Sequence, residues 1–189
     1  MNYKALFVSL FLLGCNSGCQ GTSQPAPPLP PQPSVAVQTD ASPPTQPPAP
    51  KLTTTDLKLT PWVTVEEGPW EVKLPVDTDK LSNFYVIHIL DSDVLFSVVM
   101  EKQNNRTVDD VIDEGIQDVR DLGATDMLLA QIDGNDTKRL SSRKDDRRIM
   151  QYVGADKGYL YVLSFSTKSD SPAFEDLTYT IYKTFKVDL

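Results

Sequence analysis

From residue 51 onward the apolar positions keep two rhythms, and the order in which these alternate lays out the fold. Trp62-Val63-Thr64-Val65 and Trp70-Glu71-Val72-Lys73-Leu74 flank Glu67-Gly68-Pro69, which predicts two short strands and a turn. Asn83 to Leu90 and Val94 to Glu101 are longer and too apolar for the margin of a sheet. The short Asp91-Ser92-Asp93 link makes them antiparallel neighbours inside one. The period then changes to 3.6. Val108, Val111, Ile112, Ile116, Val119 and Leu122 share one helix face behind Thr107 as N-cap, with Asp109 and Asp110 in the first turn and Gly123 as the stop. Period two returns in Met127–Ile132, Thr137–Ser142, Ile149–Gly154 and Tyr159–Ser166, a meander with turns at Asp133-Gly134-Asn135-Asp136, Lys144-Asp145-Asp146 and Ala155-Asp156-Lys157-Gly158. Ser171 as cap and Pro172 at N1 open a closing helix with Phe174, Leu177, Ile181 and Phe185 as its buried stripe. Lys183 and Lys186 lie in its last turn.

Strands, a helix, a meander and a second helix predict an α+β fold, a twisted antiparallel sheet sandwiched with helices. Residues 51–189 are long enough to bury a core, and no cysteine follows Cys19, so packing alone must hold them.

The first fifty residues follow neither rhythm. Lys4 precedes the nine-residue run Ala5–Leu13, which only Ser9 interrupts; a spanning helix needs about 20 apolar residues. The run has the size of a signal-peptide core, with Gly14 at the cut, so residues 1–14 read as a signal peptide. Residues 15–50 follow as a linker. Between Gln20 and Pro50 there are eleven prolines and no aromatic residue, a composition that buries too little to fold and favours polyproline II. Fully extended it reaches about 95 Å. A spacer explains its Pro-Pro-Leu-Pro-Pro core better than a ligand for a proline-reading domain does.

Leu12-Leu13-Gly14-Cys15 resembles the lipobox of bacterial lipoprotein precursors. The resemblance implies cleavage before Cys15, acylation of its sulfur and amine, and permanent anchoring, since each buried CH₂ contributes about 0.8 kcal/mol. Cys19 is the runner-up acceptor, but Asn16 occupies the place of its leucine, so it reads as a free thiol close to the membrane. Asn16, where an Asp would mark inner-membrane retention, implies the outer membrane facing the periplasm. The partner expected first is therefore a membrane, through lipid.

Charge narrows what the folded body does. Lys and Arg total 18 against 26 Asp and Glu, a net charge of −8, which argues against nucleic acid. The one histidine, His88, sits within an apolar strand and reads as half-buried and hydrogen-bonded rather than as a ligand or base. No Gly-x-Ser-x-Gly or phosphate loop is present. Asp113, Glu114, Asp118 and Asp121 read as a solvated helix face, and Asp133, Asn135 and Asp136 as turn chemistry rather than a calcium loop. No catalytic residue, metal site or cofactor is expected. Glu66, Glu67, Glu71 and Asp91 are the acids to check for a carboxylate-only hydrolase. One patch opposes the acidic background: Lys138, Arg139, Arg143, Lys144, Arg147 and Arg148 fall on one hairpin. They read either as defence against edge pairing or as a contact for an acidic protein, headgroup or envelope polymer. Trp62 and Trp70 read as buried against the closing helix rather than as exposed anchors.

With Phe96–Glu101 running into Thr107-Val108-Asp109-Asp110-Val111, then Tyr159–Ser166 and a final Thr184-Phe185-Lys186, the chain resembles the fold shared by the photosystem subunit PsbP, a Ran-binding nuclear import factor and bacterial lipoproteins of the DcrB and LpqN kinds. The resemblance spans residues 58–189 and implies a noncatalytic binding or accessory module in the cell envelope, with a protein or envelope polymer as partner. A small-ligand carrier, or a carboxylate-only hydrolase with its pocket between sheet and helix, is the alternative.

Overall fold

A computed structural model describes residues 60–132 and 136–188. The leader, Cys15, Cys19, the proline-rich linker and Asp133–Asn135 lie outside the described residues. Among the described residues, ten strands and two helices follow in the order β1 (Trp62–Glu67), β2 (Trp70–Pro75), β3 (Thr78–Leu81), β4 (Phe84–Ile87), β5 (Val94–Lys102), α1 (Val108–Asp121), β6 (Thr125–Gln131), β7 (Lys138–Lys144), β8 (Arg147–Asp156), β9 (Tyr159–Thr167), α2 (Ala173–Thr184) and β10 (Lys186–Val187). The strands make a three-stranded sheet, β1-β2-β10, and a seven-stranded sheet, β3-β4-β5-β9-β8-β7-β6, antiparallel throughout. This is an α+β sandwich of the kind the sequence predicts.

Alternation in the long central strands divides the side chains between two faces. Tyr161, Leu163 and Phe165 of β9, with Met150 and Tyr152 of β8 and Phe96 of β5, meet α2 and the small sheet through Phe174, Leu177, Ile181, Val72 and Leu74. This core is aromatic: Phe96 stacks on Phe165 at 4.8 Å, and Tyr152 stacks on Tyr182 at 4.7 Å. The opposite face is aliphatic, with Leu160, Val162, Ile149, Val153 and Leu140 under Val111, Ile112 and Val119 of α1. Helix α1 starts where its sequence says it should. The Thr107 hydroxyl accepts from the Asp110 N–H, and the Asp110 carboxylate accepts from the Thr107 N–H, a reciprocal cap.

Several elements differ from expectation. The strand predicted over Asn83–Leu90 is only Phe84–Ile87, and β3 pairs along its outer side; Thr-Asp-Lys-Leu has no apolar alternation to announce it. Strand β6 begins at Thr125 rather than Met127, with a bulge before Leu128 and Asp126 at φ 54°. The closing helix stops at Thr184 instead of carrying on through Phe185 and Lys186. Phe185 turns extended (φ −66°, ψ 135°) and sets its ring between Trp70 and Tyr161 at 6.2 and 4.8 Å, so tertiary packing overrides helical spacing there. Val187 is then buried as β10 against β2, and this second small sheet was not expected. At the other end α2 starts one residue later than expected, at Ala173, with Pro172 rather than Ser171 in the N-cap place; Pro172 has helical dihedrals, and the Ser171 hydroxyl accepts from the Ala173 N–H at 3.3 Å.

The register gives the sandwich two ends. Thr78, Ile87, Val94, Thr167, Arg148, Arg143 and Thr125 line up across the seven strands at one end. Pro61 lies on that side too, because its carbonyl accepts from Val76 just before β3. Lys102, Tyr159 and Asp156 mark the other end, where Lys157 donates to the Val187 carbonyl and joins the sheets.

Candidate functional site

The six cations on the β7–β8 hairpin do not converge. Alternation sends Lys138, Lys144 and Arg147 toward the α1 face and Arg139, Arg143 and Arg148 toward the α2 face. Partners within the chain meet most of them. Lys138 pairs with Asp109 of α1, and Arg143 reaches Asp170 at 3.1 Å. Arg147 donates to the Ser166 hydroxyl at 2.8 Å. Arg139 and Arg148 share Glu175 of α2 at 3.9 and 3.5 Å, and Arg148 also donates to the Ser171 carbonyl and lies over the Phe174 ring. The hairpin is not a sheet margin either, since β6 pairs outside it. Defence against edge pairing is therefore corrected: Lys138 ties α1 to the sheet, Arg139 and Arg148 tie α2 to it, Arg143 holds the segment before α2, and Arg147 bonds within the sheet.

His88 is also placed differently. It lies just past β4, between buried Ile87 and Ile89, with its own side chain 34% exposed. Its Nδ1 is 2.9 Å from Asp93 and its Nε2 3.3 Å from Asp79, a bridge from β3 to the β4–β5 turn. The Asp93 hydrogen bond, aided by Asp79 and the charge of Asp77, raises the imidazole above its ordinary value. Of the acids singled out for hydrolysis, Glu67 pairs with Lys80, Glu71 pairs with Lys186 at 3.0 Å, and Asp91 accepts from the Ser169 hydroxyl. Glu66 faces Glu71 across β1–β2 on the outer side of the small sheet. They do not gather on one pocket. Trp70 is buried beside Phe185, and Trp62 is half-buried.

A concavity does form between sheet and helix, from residues that sequence reasoning missed. A cleft of about 470 Å³ opens where β7, β8 and β9 meet the C-terminal end of α2, lined by Asp136, Thr137, Asp156, Tyr161, Tyr182 and Lys183, with Phe185 beside them. The Tyr161 and Thr137 hydroxyls are 3.1 Å apart. Burial pushes the Tyr161 phenol up to about 12, so it stays a neutral hydroxyl at physiological pH. Tyr161 has room because its cross-strand neighbour is Gly154: a Cβ there would lie 2.3 Å from the Tyr161 hydroxyl oxygen. A glycine inside an otherwise apolar strand was the one sequence signal for this close approach. Neutral hydroxyls, two carboxylates and one ammonium around a polar hollow suit hydrogen bonding to a small polar molecule.

No family profile matches the chain, and no curated protein matches it. Among solved structures, the solution structure of cyanobacterial PsbP (CyanoP) from Synechocystis sp. PCC 6803 matches at 15% identity and a TM-score of 0.47, over 67% of this chain and 92% of that one. The chain is similar to PsbP in fold. At that identity the likeness concerns architecture alone. No helix among the described residues is long and apolar enough to cross a membrane, which says nothing of β-barrels.

Proposed function

We propose that this chain is a membrane-anchored lipoprotein whose folded body is a noncatalytic binding or accessory module of the bacterial cell envelope, akin to lipoproteins of the DcrB and LpqN kinds. Acylated Cys15 is the anchor, the outer membrane facing the periplasm is the site, and the proline-rich linker sets the distance. One observation carries the reading: the chain enters the sandwich at Pro61, at the opposite end from the cleft of Tyr161 and Asp156. A body attached at that end leaves the cleft clear of the attachment point and open to a partner. A photoreactive residue placed at Asp156 in intact envelopes should form one defined adduct, and the same residue at Asp77, at the end where Pro61 lies, should not. Adducts at Asp77 alone would overturn the orientation.

A second reading, a small-ligand carrier, is favoured by the cleft lying between sheet and helix. Native mass spectrometry of the chain taken from its own envelope would then show a bound mass that Asp156→Asn loses. A bound mass that persists in the variant would place the ligand elsewhere.

A further inference from the structure

We propose that β6 is a self-association edge, on which a second copy of this chain lays its own β6 antiparallel about Leu129. Strand β6 closes one side of the seven-stranded sheet, and no described strand lies outside it. The two margins of that sheet are unlike. At the other margin β3 is four residues long, carries Asp79 and Lys80, and runs into Ser82 at φ 55°; shortness and charge blunt an edge. In β6 the bulge and the one charge, Asp126, sit at the beginning, and Met127-Leu128-Leu129-Ala130-Gln131 is uncharged in a chain of net charge −8. Leu128 is 59% exposed and Leu129 44% exposed. Successive residues of a strand point to opposite faces, so a helix laid on one face would cover only one of them. A strand added in the plane of the sheet covers both.

The hydrogen-bond parity of β6 sets the register. Ile132 N–H donates to the Thr137 carbonyl at 3.0 Å, and Gln131 stands opposite Lys138. Counting back in twos, Ala130 and Leu128 turn their backbone groups to β7, while Leu129 and Met127 turn theirs outward. A two-fold axis at Leu129 therefore brings its N–H and C=O onto the C=O and N–H of Leu129 in the second copy. Leu128 then faces Ala130 of that copy on the same side of the sheet, large against small. This self-match selects a second copy over an unrelated peptide: the strand surface brought together is uncharged, whereas the body around it is acidic. Helix α1 does not obstruct the pairing, because it packs over β8 and β7. With strands about 4.8 Å apart, the two α1 helices lie roughly 20 Å from one another, against a helix diameter of about 10–12 Å. One short strand pair buries less than the roughly 1,600 Å² of a standard interface, so the dimer is weak and concentration-dependent.

Leu129→Pro tests this directly, because proline removes only the outward N–H and leaves the β7 ladder intact. Sedimentation velocity of the full chain, in mild detergent with reductant to keep free thiols from cross-linking, should show wild type passing from monomer to dimer with concentration. L129P should stay monomeric with a wild-type melting curve, and so should the double variant Leu128→Lys, Leu129→Lys. Hydrogen exchange of the Leu129 amide in wild type should slow at least about tenfold from dilute to concentrated solution. A monomer at every concentration, a dimer that survives both variants, or a Leu129 amide whose exchange ignores concentration would overturn the proposal.

Discussion

At the end of the sandwich where the chain enters, charged side chains are tied to one another: Arg143 to Asp170, Arg148 and Arg139 to Glu175, Lys168 to Asp146 at 2.8 Å, and His88 to Asp79 and Asp93. At the opposite end, Asp136, Asp156 and Lys183 line a hollow around the Tyr161 and Thr137 hydroxyls. Charged pairs hold the second end as well, Lys138 with Asp109 and Arg106 with Glu101 and Glu114, but there some of the same residue types are left lining an open hollow. What separates them is backbone geometry. At the first end α2 starts directly over the sheet and brings carboxylates down on the arginines. At the second the chain leaves α2 at Phe185 and crosses to the small sheet, opening the space that the cleft fills.

The contrast can be broken from either side. The largest effect belongs to Gly154→Ala, whose Cβ would press on the Tyr161 hydroxyl oxygen at 2.3 Å and on the Thr137 hydroxyl oxygen at 2.7 Å. Forcing the ring aside should cost about 1–3 kcal/mol and reshape the cleft. Denaturant unfolding and the Tyr161 ring shifts check it; wild-type values for both would mean the cleft wall is soft. Next, Glu175→Gln removes the carboxylate shared by Arg139 and Arg148 and should cost up to about 1 kcal/mol, the range of half-exposed ion pairs. The cleft should be untouched, so Tyr161 shifts that move with this variant would show the two ends to be coupled.

The smallest effect is one of pH. His88 gains Asp93 and Asp79 on folding and titrates above its ordinary 6.5, so its contribution is fully present below pH 6.5 and is lost as pH rises through the raised native value. Asp93→Asn should bring the imidazole titration, followed by NMR, back toward 6.5. An unmoved titration would remove Asp93 as the main cause. Solvent screens the bridge, so little change in overall stability accompanies it.

How much of this was legible in the chain varies with the range of the forces involved. Helix α1 could be read whole, because Thr107, Asp110 and the Val111-Ile112-Val119 stripe are local signals. Strands β3 and β10 could not, since Thr78–Leu81 and Lys186-Val187 have no alternation and are strands only because β4 and β2 lie beside them. The basic hairpin was visible as six cations close in sequence, but Asp109, Glu175 and Asp170, which decide what those cations do, come from other elements. The cleft was the least legible feature. Its lining comes from the segment before β7, the β8–β9 turn and the end of α2, and only Gly154 hinted that a side chain from the next strand comes close.

The proposal that this sandwich is held to a membrane through Cys15 can be tested by intact-mass and peptide mass spectrometry of the mature protein from its native envelope. The expected chain begins at Cys15 and carries acyl chains on its sulfur and amine. A mature chain with an unmodified amino terminus, recovered in the soluble fraction, would contradict it.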